Sequence, residues 1–89
     1  MISAPVTIVN SLGLHARAAT KLVNCASDWE SEIHLRKGQR VVNAKSIMGV
    51  LTLAASKGTE LVVEANGPDQ DPALEALLVL ISDGFGEEA

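Results

Sequence analysis

The chain reads as an α+β protein: an open-faced two-layer sandwich, four antiparallel strands covered on one face by three helices, in the order β-α-β-β-α-β-α. Three patterns predict this class. The strand candidates alternate apolar and polar residues, which suits an antiparallel sheet with one covered and one wet face. Two stripes, Ala19/Leu22/Val23/Ala26 and Leu74/Leu77/Leu78/Ile81, recur at helical spacing. The 89 residues are 47% hydrophobic but only 2% aromatic, so the core must come from Val, Leu, Ile and Ala. A chain of this length forms one domain, residues 1–89, and buries roughly 60–65% of its unfolded surface, enough for one two-layer core.

The elements follow in order. Val6 to Val9 predict a first strand with Val6 and Ile8 on one face, broken by Asn10, Ser11 and Gly13. A helix follows over about 16–26 and closes at Ser27-Asp28. Trp29 anchors the loop beyond it. Ile33 and Leu35 alternate with Glu32, His34 and Arg36 as a second strand. Lys37-Gly38-Gln39 turns the chain into a third, Arg40 to Asn43. Ser46 is a good N-cap for a brief helix to Ala54 or Ala55, with Gly58 suited to a left-handed position after it. Val50, Leu53 and Ala54 are expected to face the sheet. Leu61, Val63 and Ala65 alternate with Glu60, Val62 and Glu64 as a fourth strand. Asn66-Gly67-Pro68 turns again, Asp69 or Asp71 caps a last helix with Pro72 in its first turn, and Gly84 stops it.

Charge and cysteine content exclude several functions. The net charge is −4, which argues against nucleic-acid binding, since that needs a basic stripe to displace counterions. All seven cations lie at or before Lys57, so one end could still dock on an acidic protein surface. Cys25 is alone, beside Val23 and Ala26, and reads as a small packed hydrophobe; neither it nor His34, on a strand's exposed side, belongs to a metal site. No cofactor and no metal is expected. Leu77 to Ile81 is too short to insert in a membrane, and no leader opens the chain, so a cytoplasmic location is expected.

Gly13-Leu14-His15-Ala16-Arg17 carries the chemistry. His15 falls at the first turn of the first helix, where backbone N–H groups lack intrahelical partners and the helix dipole is positive. A neutral imidazole there can attack a phosphoryl group and hold it as a phosphoramidate. The helix end and the Arg17 guanidinium both disfavour the imidazolium and stabilise the added dianion. The N–H groups of Ala16 and Arg17 are the backbone donors. On His-x-Arg spacing alone, a histidine that only caps its helix, with Arg17 a solvated surface charge, is the favoured reading, because the pair is common. Gly13 and the small Ala16, Ala18 and Ala19 favour the phosphate site by leaving the backbone accessible.

Ser46 has two readings as well: an N-cap, or a phosphorylation site at a helix N-terminus, where about −1.5 to −2 added charges would alter the surrounding surface without unfolding it. The second helix is too short to bury all its apolar residues. Ile47, Met48 and Leu51 are left as a partly exposed docking cluster.

These motifs together, with Lys45 to Leu51 and Ala55 to Thr59, resemble the histidine-containing phosphocarrier (HPr) family of the bacterial phosphotransferase system, over nearly the whole chain. The resemblance implies the open-faced sandwich named above. It implies that His15 accepts a phosphoryl group on Nδ1 from phosphorylated enzyme I, charged by phosphoenolpyruvate, and passes it to IIA proteins or domains. Arg17 would stabilise the phosphate, Ser46 would be the serine modified by HPr kinase/phosphorylase, and Ile47, Met48 and Leu51 the docking patch. The protein would be a relay carrier rather than an enzyme, and a monomer. The family usually has proline where Ala18 stands; alanine forgoes roughly 0.4–1 kcal/mol of preorganisation. The tail Asp83-Gly84-Phe85-Gly86-Glu87-Glu88 resembles that of nitrogen-branch carriers, which leaves sugar transport and nitrogen regulation both open. The alternative function is a regulatory binding module, acting through Ser46 and the Ile47/Met48/Leu51 patch without relay.

Overall fold

The computed structural model describes residues 1–87. Its strands are β1 (Ile2–Thr7), β2 (Glu32–Lys37), β3 (Arg40–Asn43) and β4 (Glu60–Asn66); its helices are α1 (Ala16–Ser27), α2 (Ile47–Thr52) and α3 (Gln70–Ser82). The strands form one antiparallel sheet in the order β1-β4-β2-β3. Inward residues of the strands meet the apolar stripes of α1 and α3. Val6, Ile33, Leu35, Leu61, Val63 and Ala65 pack with Ala19, Leu22, Ala26, Leu74, Leu77 and Ile81 in one core, and Leu78 is only partly covered. The opposite face of the sheet is polar and wet; there Arg36 pairs with Glu64 across β2 and β4 at 2.9 Å, and His34 is half-buried. Among the described residues no helix is long and apolar enough to cross a membrane.

Four local expectations need correction. The first strand begins at Ile2, four residues before Val6. Pro5 makes that stretch look broken, but β1 is an edge strand, where a missing N–H is tolerated. The second helix stops at Thr52 rather than Ala54 or Ala55. Its left-handed residue is Ala54 (φ 50°), which points away from the sheet into solvent, and not Gly58. The Lys37 ammonium donates to the Leu53 carbonyl at 2.9 Å and satisfies one of the carbonyls exposed where the helix ends. Gly58 (φ 91°) instead turns the chain so that its N–H reaches the Ile8 carbonyl at 2.7 Å, extending the β1–β4 pairing.

Asp69 precedes α3 but makes no side-chain cap. Its carboxylate accepts from the Glu30 and Ser31 amides, each at 2.9 Å, and from the Ser31 hydroxyl. The Ser31 hydroxyl first, and then the Glu30 amide, hold the Asp69 carboxyl below its ordinary range. The residue therefore ties the α1–β2 loop to the start of α3. Trp29 is a loop anchor as expected: it is half-buried against the core, and its carbonyl accepts from Lys45 Nζ at 2.7 Å.

Candidate functional site

The site is built on the loop between β1 and α1. Asn10 is buried, and its side-chain amide donates to the Gly13 carbonyl at 2.8 Å; the Gly13 N–H returns a bond to the Asn10 carbonyl at 3.1 Å. Gly13 has φ 64°, and its α-carbon lies so close to the chain after α2 that a Cβ would meet the Ala55 carbonyl oxygen at 2.5 Å. No residue but glycine meets both demands. The Leu14 N–H then bonds the Ala55 carbonyl at 2.8 Å, and the Leu14 side chain is buried. His15 is thus delivered from a braced loop, in extended backbone, as the N-cap of α1.

Both ring nitrogens are engaged. Nδ1 accepts from the Arg17 N–H at 3.3 Å, and Nε2 lies 2.7 Å from Glu87 Oε2. Nδ1 receives a proton donor, so the ring's own proton sits on Nε2, which donates to Glu87. The Nδ1 lone pair therefore points at the amino end of α1, into its positive dipole and uncapped amides. The His15 side chain is 28% exposed, enough for a partner to reach it. The Arg17 side chain is exposed and makes no hydrogen bond or ion pair among the described residues. Ala18, where the family proline would stand, is fully buried one residue further on.

The tail completes the site. After α3 the chain passes through Gly84, Phe85 and Gly86, all with left-handed φ (64°, 59° and 72°). Phe85 is buried against the core, and its carbonyl accepts from Lys21 Nζ at 2.8 Å. Glu87 is thereby turned back over His15, and its other carboxylate oxygen accepts from the Asn10 amide at 3.0 Å. Partial burial pushes the Glu87 carboxyl up, but the bonds from Asn10 and His15 and the nearby charge of Lys21 outweigh it and hold the carboxyl below its ordinary range. Glu88, the last residue of the nitrogen-branch-like tail motif, lies outside the described residues.

Sequence reasoning assigned Asn10 only to a strand break, and Glu87 only to a tail motif. Phe85 likewise appeared only in that tail motif, and Lys21 only among the cations. The one available signal was the Gly-Phe-Gly run before Glu87, since paired glycines after a helix mark a sharp return of the chain.

Ser46 lies on a different element, at the start of α2, and its Oγ accepts from the Gly49 N–H at 3.1 Å. Of the apolar cluster on that helix, Met48 is 72% and Ile47 43% exposed, while Leu51 is partly buried against the core. Leu12, beside the histidine, is an exposed apolar residue that the sequence did not single out. Cys25 is half-buried, and burial pushes its thiol up, against a weaker opposing contact from Trp29.

An open-faced sandwich that presents one histidine at a helix amino end is the architecture of a small carrier. The family model for the PTS HPr component phosphorylation site matches residues 2–83. The HPr of Cupriavidus necator is 47% identical over 98% of both chains. The NPr of Shewanella violacea is 43% identical over 92% of this chain and 90% of its own. Among solved structures, HPr-C-His from Thermoanaerobacter tengcongensis superposes over the full length of both chains with a TM-score of 0.96 at 43% identity. The chain belongs to the HPr family of phosphotransferase-system phosphocarriers. Solved relatives also include an HPr dimer from the same organism, 42% identical over 98% of this chain and 100% of its own, TM-score 0.79.

Proposed function

We propose that this chain relays a phosphoryl group on His15, taking it from phosphorylated enzyme I and passing it to a IIA protein or domain. The observation that carries the reading is the placement of the ring: Nδ1 faces the Arg17 amide at 3.3 Å and Nε2 faces the Glu87 carboxylate at 2.7 Å, an arrangement that suits a neutral ring with Nδ1 free to attack. The Nδ1 lone pair forms the N–P bond as the donor's bond to phosphorus breaks, and the donor keeps that electron pair. The Arg17 N–H then passes from Nδ1 to a phosphate oxygen, joined by the Ala16 N–H and the Arg17 guanidinium. Transfer to the acceptor reverses these steps and restores the same carrier, so the chain is a consumed and regenerated substrate of the system rather than its catalyst. No cofactor takes part.

Ile47, Met48 and Leu51 form the docking patch on this reading. Phosphorylation of Ser46 by an HPr kinase/phosphorylase would place a dianion at the edge of that patch and weaken docking on an acidic partner. The carrier works as a cytoplasmic monomer.

The test is incubation with phosphoenolpyruvate and enzyme I. Wild type should gain one acid-labile, alkali-stable phosphate, and His15→Ala none; equal labelling, or none in either, sinks the relay and leaves the regulatory-module reading. Ser46→Asp should slow transfer from enzyme I, and unchanged kinetics would count against the switch. Light scattering at micromolar concentration checks the monomer.

A further inference from the structure

We infer that Glu87 is a positioning residue for phosphoryl transfer: it keeps the His15 proton on Nε2 before transfer and balances the charge on the ring after it. The inference rests on His15 being the phosphoryl acceptor.

Four contacts make the placement of Glu87 specific. One carboxylate oxygen takes Nε2 at 2.7 Å, and the other takes the Asn10 amide at 3.0 Å. Asn10 is itself buried and braced on the Gly13 carbonyl, so the carboxylate is held against the same loop that delivers His15. Lys21, six residues after His15 on α1, grips the Phe85 carbonyl at 2.8 Å and pins the tail two residues before Glu87. The backbone also accepts an unfavourable conformation: Phe85 has φ 59°, in the left-handed region that side chains rarely adopt. A side chain that met solvent alone would need none of this. The Glu87 side chain is only 16% exposed.

The chemical consequence follows from the ring's electron count. When Nδ1 forms its bond to phosphorus and Nε2 keeps its proton, the imidazole ring becomes cationic. Without a counter-charge the Nε2 proton would be lost to water, leaving a neutral phosphoimidazole from which phosphorus departs less readily. With Glu87 beside it the proton stays. On transfer, the N–P electron pair returns to Nδ1 and the neutral Nε2–H ring is restored, with no net proton movement. The charged groups around the ring are Arg17 and Lys21 from α1 and Glu87 from the tail; the loop from Asn10 to Leu14 carries none. Both cations oppose a cationic ring, and Glu87 is the one group that favours it among the described residues.

Two variants separate the hydrogen bond from the charge. Glu87→Gln keeps an oxygen for Nε2–H and loses the charge; Glu87→Ala loses both. Nitrogen-15 NMR of the unphosphorylated histidine should give an Nε2–H tautomer in wild type and Glu87→Gln, and a mixed signature in Glu87→Ala. With the phosphorylated proteins, the pH profile of phosphohistidine hydrolysis should move toward acid by about one pH unit in both variants. That is the low end for an opposite charge at contact, because both groups are partly solvated. On the falling limb of the profile, hydrolysis should be about tenfold slower. A role confined to pinning the tail would move neither readout in Glu87→Gln relative to wild type. A hydrolysis profile of Glu87→Gln that superimposes on wild type overturns the inference, as does an unchanged tautomer signature in Glu87→Ala. Either result with wild type labelled at His15 leaves the relay intact; failure of wild type to label at His15 removes the relay itself.

Discussion

Gly13→Ala is the sharpest test of how the loop aims His15. At φ 64° any side chain pays for a left-handed conformation, about 1–2 kcal/mol, partly offset by about 0.4–1 kcal/mol from a less flexible unfolded chain. The added Cβ would also lie 2.5 Å from the Ala55 carbonyl oxygen and 2.8 Å from the Ser56 α-carbon, both backbone atoms that cannot rotate aside. Separating them costs about 1–3 kcal/mol as overpacking and strains the Leu14–Ala55 hydrogen bond, worth about 1 kcal/mol. Gly38 is the control: its φ is 60°, and nothing lies within 4 Å of its added Cβ. Gly38→Ala should cost under about 1 kcal/mol, and Gly13→Ala about 3 kcal/mol. The difference, about 2 kcal/mol, corresponds to about 10 °C in melting temperature for a chain this small. Thermal and urea denaturation of both variants reads it directly. Equal losses would refute the argument, because they would leave left-handed strain as the whole effect and remove the close approach that braces His15.

Other outcomes follow from the same contacts. Ser46→Ala should destabilise by about 1 kcal/mol through loss of the cap on Gly49, and Ser46→Asp should recover most of it in urea titrations; a large loss in Ser46→Asp would make slowed transfer a folding effect. Ala18→Pro should raise stability by about 0.4–1 kcal/mol, since an amide in the first turn has no partner within the helix; a loss would mean the buried site has no room for the ring. Phe85→Ala should cost about 3 kcal/mol by calorimetry and release the His15–Glu87 contact, visible as a changed imidazole nitrogen-15 signature. Asp69 and Glu87 both titrate lower folded than unfolded, so each contributes stability that is complete above the ordinary carboxylate range and is lost as pH falls through the folded value. Acid titration of stability should therefore fall less steeply in Asp69→Asn than in wild type, and an unchanged slope would remove Asp69 from that account.

Local periodicity determined most of what this chain becomes. The alternation of Leu61, Val63 and Ala65 set the inward face of β4, and the stripes of α1 and α3 set the faces that cover it. The placing of His15 at the start of α1, and of Ser46 as the cap of α2, also needed only neighbours within four residues. The start of β1 and the end of α2 were misplaced because edge-strand pairing and the lysine that reaches the end of α2 come from elsewhere in the chain. Asp69 misled for the same reason, since a nearby loop took the carboxylate that the helix start was expected to use. The tertiary structure alone decided the second half of the site. Glu87 meets His15 across 72 residues, through a left-handed turn, a buried phenylalanine and a lysine on α1. Sequence spacing reports which residues share a face of one element. It carries no distance between the two ends of a chain, and that distance is what brings the Glu87 carboxylate to Nε2 of the histidine.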